Sequence, residues 1–252
     1  MASPLRLEDA LETNTGCVRK ANEDSAVALT EAGVWLVADG MGGHANGKQA
    51  SEALVRALAA ARIPESFDEA CAATAAAIHA ANAEIYAQAQ ALGVQMGSTA
   101  VALVVRERQF AAIWAGDSRI YLFREGVFHQ LTVDHTQVQE MLDRGWLTPE
   151  EAEGHPMGHV LARAIGVRPE LELDAVSDEV QPGDIFLLCS DGLHGVLTQA
   201  EIVAALGAYG QTAAAPLVAQ CLERGAPDNV TVLLVGASER TALSFAAPAD
   251  TL

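Results

Sequence analysis

Three apolar runs in this chain end or begin at an aspartate, and that arrangement restricts the fold more than any other feature. VWLVAD (34–39) and IFLLCSD (185–191) run out at Asp39 and Asp191, while Asp228 stands just ahead of VTVLLV (230–235). Each aspartate is followed by Gly or Asn. Apolar runs of this length, bounded by turn residues, read as buried strands. A carboxylate held at the end of such a strand beside a flexible residue can project into a cleft. One Asp-Gly of this kind is an ordinary turn. Three converging carboxylates repel one another unless they are protonated or bridged by a cation, and oxygen-only ligands suit magnesium or manganese rather than zinc or copper.

The remaining pattern supplies a scaffold for them. Strands are expected at 25–30, 34–39 and 98–105, with two Ala-rich helices at about 47–61 and 66–91 divided by Ile63-Pro64. FAAIWAG, RIYLF and VFHQLT follow, the last two joined by Arg124-Glu125-Gly126 with Gly third in the loop. Residues 134–168 are polar and rich in Gly and Pro, with short helices around 136–143 and 149–153, and read as a mobile flap. Then come LELDAV (171–176), a turn at Gln181-Pro182-Gly183-Asp184, IFLLC, helices near 198–206 and 211–223, and VTVLLVG. The expected fold is α+β: two antiparallel sheets packed as a central sandwich, flanked by antiparallel helix pairs in α-β-β-α layers, with the flap as an insertion. One catalytic domain over 1–238 and a disordered tail over 239–252 complete the expected organisation.

Composition narrows the partners. With 15 Lys and Arg against 33 Asp and Glu, the formal charge of -18 repels nucleic-acid backbones and anionic membrane surfaces. No apolar segment is long enough to span a bilayer, and the acidic N-terminus lacks the basic stretch of a signal peptide, so a cytoplasmic protein is expected. Cys17, Cys71, Cys189 and Cys221 form no CxxC pair and read as reduced, structural thiols.

RKANEDS (19–25), VADGMGGHANG (37–47), GST (97–99), AGDSRIY (115–121), LTVDHT (131–136), CSDGLHG (189–195) and DNVTV (228–232) occur in that order. Together they resemble the type 2C (PPM) metal-dependent serine/threonine protein phosphatases, over nearly the whole chain and in the bacterial single-domain form. The resemblance implies that Asp39 bridges two Mn²⁺ or Mg²⁺ ions, that the Gly40 carbonyl binds the second, and that Asp191 and Asp228 complete the first. Glu23 and Asp24 would hold metal-bound water, and Asp117 would help bind a third cation unless it is simply a turn residue. Arg19 would grip substrate phosphate, a task that suits a guanidinium through bidentate hydrogen bonds.

The chemistry implied is hydrolysis of phosphoserine and phosphothreonine by water activated between two cations about 4 Å apart. Neither TGCVRKA nor LLCSDG supplies the loop of a cysteine phosphatase, and no GxSxG occurs. Many eukaryotic relatives carry DGH where this chain has Asp39-Gly40-Met41, so the general acid stays open. His44 either reaches the site through Gly42-Gly43 or caps the helix near Gly47, and Asn229 is a further candidate for supporting the site. The expected partners are phosphoproteins made by a bacterial serine/threonine kinase, acted on by a monomer. A small phosphorylated metabolite as substrate, or a non-catalytic phosphoprotein binder, are the competing readings.

Overall fold

The computed structural model describes residues 5–43, 45–152 and 154–239. In chain order these form β1 (Leu5–Asn14), β2 (Asp24–Leu29), β3 (Val34–Met41), α1 (Ala45–Ala60), α2 (Phe67–Leu92), β4 (Gly97–Ser98), β5 (Ala100–Arg106), β6 (Gln109–Ala115), β7 (Arg119–Arg124) and β8 (Val127–Gln130). The flap carries α3 (Gln137–Asp143) and α4 (Pro149–Ala152). It is followed by β9 (Asp174–Glu179), β10 (Ile185–Cys189), α5 (Asp191–His194), α6 (Gln199–Tyr209), α7 (Ala214–Glu223) and β11 (Val230–Glu239).

Two antiparallel sheets result, ordered β1-β11-β10-β7-β8 and β2-β3-β5-β6-β9, with the short β4 paired to β3. The central strands β3, β5, β6, β10 and β11 are apolar on both faces because both faces are covered. In β3, Trp35 and Val37 enter the core between the sheets, whereas Val34, Leu36 and Ala38 pack under α1 and α2. In β11, Leu233 and Val235 point inward while Val232 and Leu234 meet α6 and α7. This period of two, repeated on neighbouring strands, fixes the register, since a one-residue slip would exchange the two faces. Between the sheets Phe110 meets Phe186 edge to face at 4.8 Å. The α-β-β-α sandwich is the expected one. Among the described residues no helix is long and apolar enough to cross a membrane.

Several boundaries differ from expectation. β1 was not foreseen; it pairs with β11 from Leu5 opposite Glu239 to Asn14 opposite Val230. That pairing carries β11 through Ser238 and Glu239, beyond the end expected for it, while the rest of the expected tail, 240–252, lies outside the described residues. β9 starts three residues later than LELDAV, at Asp174, where pairing with β6 begins. The β7–β8 turn contains two residues rather than three. Arg124 pairs with Val127, and Glu125 and Gly126 take φ of 51° and 80°, the tight turn that matches strand twist.

The base of the flap is tied to the sandwich. Ser98 and Ile165 exchange backbone hydrogen bonds, and Ala162 N–H donates to the His135 carbonyl. The Asn82 side chain donates to the carbonyls of Arg168 and Pro169 and accepts from Gly166 N–H. Arg119 grips Asp134 with two parallel hydrogen bonds of 2.8 and 2.7 Å, pinning the point where the chain leaves for the flap.

Candidate active site

Asp39, Asp191 and Asp228 emerge at one edge of the sandwich, around a cleft of about 750 Å³. Arg19, Glu23, Asp39, Gly40, Asp117, Asp191, Asp228 and Asn229 line it, facing His159–Ala162 and Arg168 from the flap side. Residues scattered from 19 to 229 are therefore gathered because β2, β3, β6, β10 and β11 begin or end there.

Asp39 lies within β3, two residues short of its end, and the GST block holds its backbone from three directions. Thr99 N–H and Ser98 Oγ donate to the Asp39 carbonyl at 2.8 and 2.9 Å, and Asp39 N–H donates to Thr99 Oγ1 at 3.0 Å. Gly40 then packs against α1 so closely that a Cβ would strike the Gly47 carbonyl, which accounts for a glycine here. Asp191 opens α5, and its position is set by the β10 strand behind it.

Asn229 organises the opposite wall. Its Nδ2 donates to the carbonyls of Thr15 and Ala21 at 2.8 and 2.9 Å, and its Oδ1 accepts from Glu23 N–H at 2.8 Å. The β1–β2 loop is thus stitched to β11, with Glu23 and Arg19 aimed at the cleft. Arg19 donates to Asp228 Oδ2 at 2.6 Å, so in this arrangement its guanidinium holds a carboxylate.

Asp24 does not line the cleft. It begins β2 opposite Asp39 and is buried, its Oδ2 accepting from Ser190 Oγ and Thr231 Oγ1 at 2.7 Å each. Asp117 sits between β6 and β7, nearly buried, and His194 Nε2 lies 3.1 Å from its carbonyl, which requires the proton on that nitrogen. His44 lies outside the described residues.

The electrostatics are those of crowded, dehydrated carboxylates. Burial, reinforced by Asp24, Asp191, Asp117 and Asp228, raises Asp39 well above the usual range. Burial and Asp228 raise Asp191. Burial pushes Asp24 up to about 6 against its two hydroxyl donors, and burial with Asp191 and Asp134 pushes Asp117 up to about 7. Asp191 Oδ1 and Asp24 Oδ1 are buried without a hydrogen-bond partner among the described residues. A buried carboxylate oxygen with no donor is costly and calls for a positive charge. The all-oxygen donor set suits a hard divalent cation. Among the described residues no three His, Cys, Asp or Glu side chains are yet gathered as a metal cage.

Thr99, Ser190, Thr231 and His194 fall inside the motif blocks quoted above, but the partners they hold could not be read there. They act through partners distant in the chain, and His159 reaches the cleft only because the flap folds over it. Of the flap arginines, Arg168 faces the cleft, whereas Arg163 pairs with Asp174 at 2.6 Å and Arg144 lies over the Trp146 ring. None of the four cysteines lines the cleft: Cys189 is buried and its pKa is raised by that burial, and Cys17 is exposed beside the Leu222 carbonyl.

A two-sheet sandwich with a carboxylate cleft at one edge is the architecture of a phosphatase class, and the family model described as protein phosphatase 2C matches residues 19–232. The chain belongs to the protein phosphatase 2C family. It is 38% identical over 233 residues to the serine/threonine protein phosphatase PstP of Mycobacterium tuberculosis, covering 91% of this chain and 45% of that protein. It therefore spans about half the length of that curated relative. Among solved structures, PppA, described as a key regulatory component of T6SS in Pseudomonas aeruginosa, superposes with a TM-score of 0.87 at 40% identity, covering 93% of this chain and 99% of that one. The catalytic domain of PstP in complex with two manganese ions superposes with a TM-score of 0.81 at 35% identity, covering 93% and 100%.

Proposed function

We propose that this chain hydrolyses phosphoserine and phosphothreonine in proteins with the help of divalent cations, reversing the action of a serine/threonine kinase. The observation that carries the reading is the set of five carboxylates, Glu23, Asp39, Asp117, Asp191 and Asp228, converging on one cleft with an unpartnered buried oxygen on Asp191. Asp39, Asp191, Asp228 and the Gly40 carbonyl are the proposed ligands of two Mn²⁺ or Mg²⁺ ions, with Glu23 and Asp24 behind them and Asp117 serving a third. Such ions supply Lewis acidity that makes water nucleophilic near neutral pH and neutralises phosphoryl charge.

The chain's own groups do the rest. The GST clamp holds Asp39 rigid, and the Asn229 staple holds Glu23 and Arg19 in register with Asp228. A phosphate dianion entering the cleft competes with Asp228 for the Arg19 guanidinium, and Arg168 adds a second positive group on the flap side. His159 is the described imidazole on the cleft wall and, with His44, one of two candidates to protonate the leaving alkoxide.

Hydrolysis of p-nitrophenyl phosphate, a phosphothreonine peptide and a panel of small phosphorylated metabolites, each with Mn²⁺ and with EDTA, tests this. The expected result is Mn²⁺-dependent peptide turnover abolished by EDTA. Turnover of a metabolite but not of the peptide would replace the substrate class, and activity that survives EDTA would overturn the metal dependence.

A further inference from the structure

A second cavity of about 530 Å³ opens beside the carboxylate cleft and shares a wall with it, formed by Met41, Gly42, Gln95 and Val167. Its far side is the C-terminal turn of α2 and the linker beyond, with Ala89, Val94 and Met96. Among the described residues no charged side chain lines it, in a chain whose formal charge is -18. Val94 and Val167 remain 37% and 50% exposed there, an apolar surface that folding alone leaves uncovered. A groove continuous with a catalytic cleft, apolar where the cleft is anionic, fits a ligand that is phosphorylated at one point and apolar next to it.

We infer that this groove seats an apolar side chain of the substrate polypeptide, flanking the phosphorylated residue. The inference rests on the protein phosphatase reading and adds a sequence preference to it. Extended peptide advances about 3.3 Å per residue and presents alternate side chains to one surface. A residue close to the phosphorylated one in sequence therefore reaches Val94 while the phosphate lies among the carboxylates. Neighbouring Asp or Glu side chains in the substrate are disfavoured, because the described lining of the groove offers them no cation.

The test uses phosphothreonine peptides of one backbone in which a single leucine or aspartate is moved through the flanking positions, with kcat/KM measured in Mn²⁺. At one position the leucine peptide is expected to exceed the aspartate peptide by about tenfold, the factor that partial burial of one leucine side chain supplies. In Val94→Asp that ratio should fall towards one. The near-isosteric Val94→Thr should lower it and decides the matter if the first variant fails to fold. Equal kcat/KM across the peptides, or a leucine preference untouched by both variants, would overturn the groove while leaving the phosphatase reading in place. Turnover of p-nitrophenyl phosphate with none of any peptide would remove that reading and the groove with it.

Discussion

Asp24 shows how single residues hold this site together. Its carboxylate is buried behind Asp39 and depends on the hydroxyls of Ser190, just past the end of β10, and Thr231 in β11. Ser190→Ala and Thr231→Val each leave that oxygen short of a donor, so each is expected to lower stability by about 1–3 kcal/mol in urea unfolding without changing the slope of the transition. His194 offers a pH test. Burial lowers its pKa to about 4, below the ordinary value of 6.5, so between these values the unfolded chain takes up a proton that the folded one refuses. Its contribution is therefore complete above pH 6.5 and is lost as pH falls towards 4. The raised carboxylates act in the opposite sense over the same range, so the difference between wild type and His194→Gln isolates it. In EDTA, wild-type stability should fall relative to the variant as pH drops from 6.5 to 4. Asp39, Asp191 and Asp228 were legible as cleft carboxylates because they stand beside apolar runs. Ser190 lies 166 residues from Asp24, and no local pattern announces such a pair.

At the scale of elements, β1 protects β11. Its ten residues occupy the outer edge of the sheet, and its removal would expose the backbone of the strand that leads from the Asp228 loop. A chain starting at residue 15 is expected to self-associate in gel filtration and to lose its cooperative thermal transition. The sandwich strands and the α1–α2 pair could be read from periodicity, because their faces are uniformly apolar or cleanly alternating. LRLEDALETN could not, since its acids suggest surface although Leu5 and Leu7 enter the core between the sheets. Asp9 is exposed, yet it accepts from the buried Trp35 Nε1 at 3.3 Å, a polar contact that hides the alternation. The turn at Gln181–Asp184 was readable from its Pro-Gly pair and closes with Asp184 N–H donating to the Gln181 carbonyl at 3.1 Å.

In the whole molecule, two sheets packed face to face make a rigid frame, and the chemistry stands at one edge of it. Core and site are coupled through the strands that serve both. Phe186→Ala in the inter-sheet core is expected to cost about 3–5 kcal/mol. Because β10 also delivers Asp191, loss of folded protein and loss of activity should coincide on heating that variant. The acidic net charge argues against nucleic acid from the sequence alone, but the direction of the cleft, its apolar neighbour and the His159 wall depend on long-range packing. The most direct test of the carboxylate centre is Mn²⁺-dependent turnover of a phosphothreonine peptide by Asp39→Asn, with folding verified by circular dichroism. A loss of about a hundredfold or more against the wild type is expected, since the substitution removes a central charge from the proposed cation site. Turnover at the wild-type rate would contradict the assignment of this cleft as the catalytic centre.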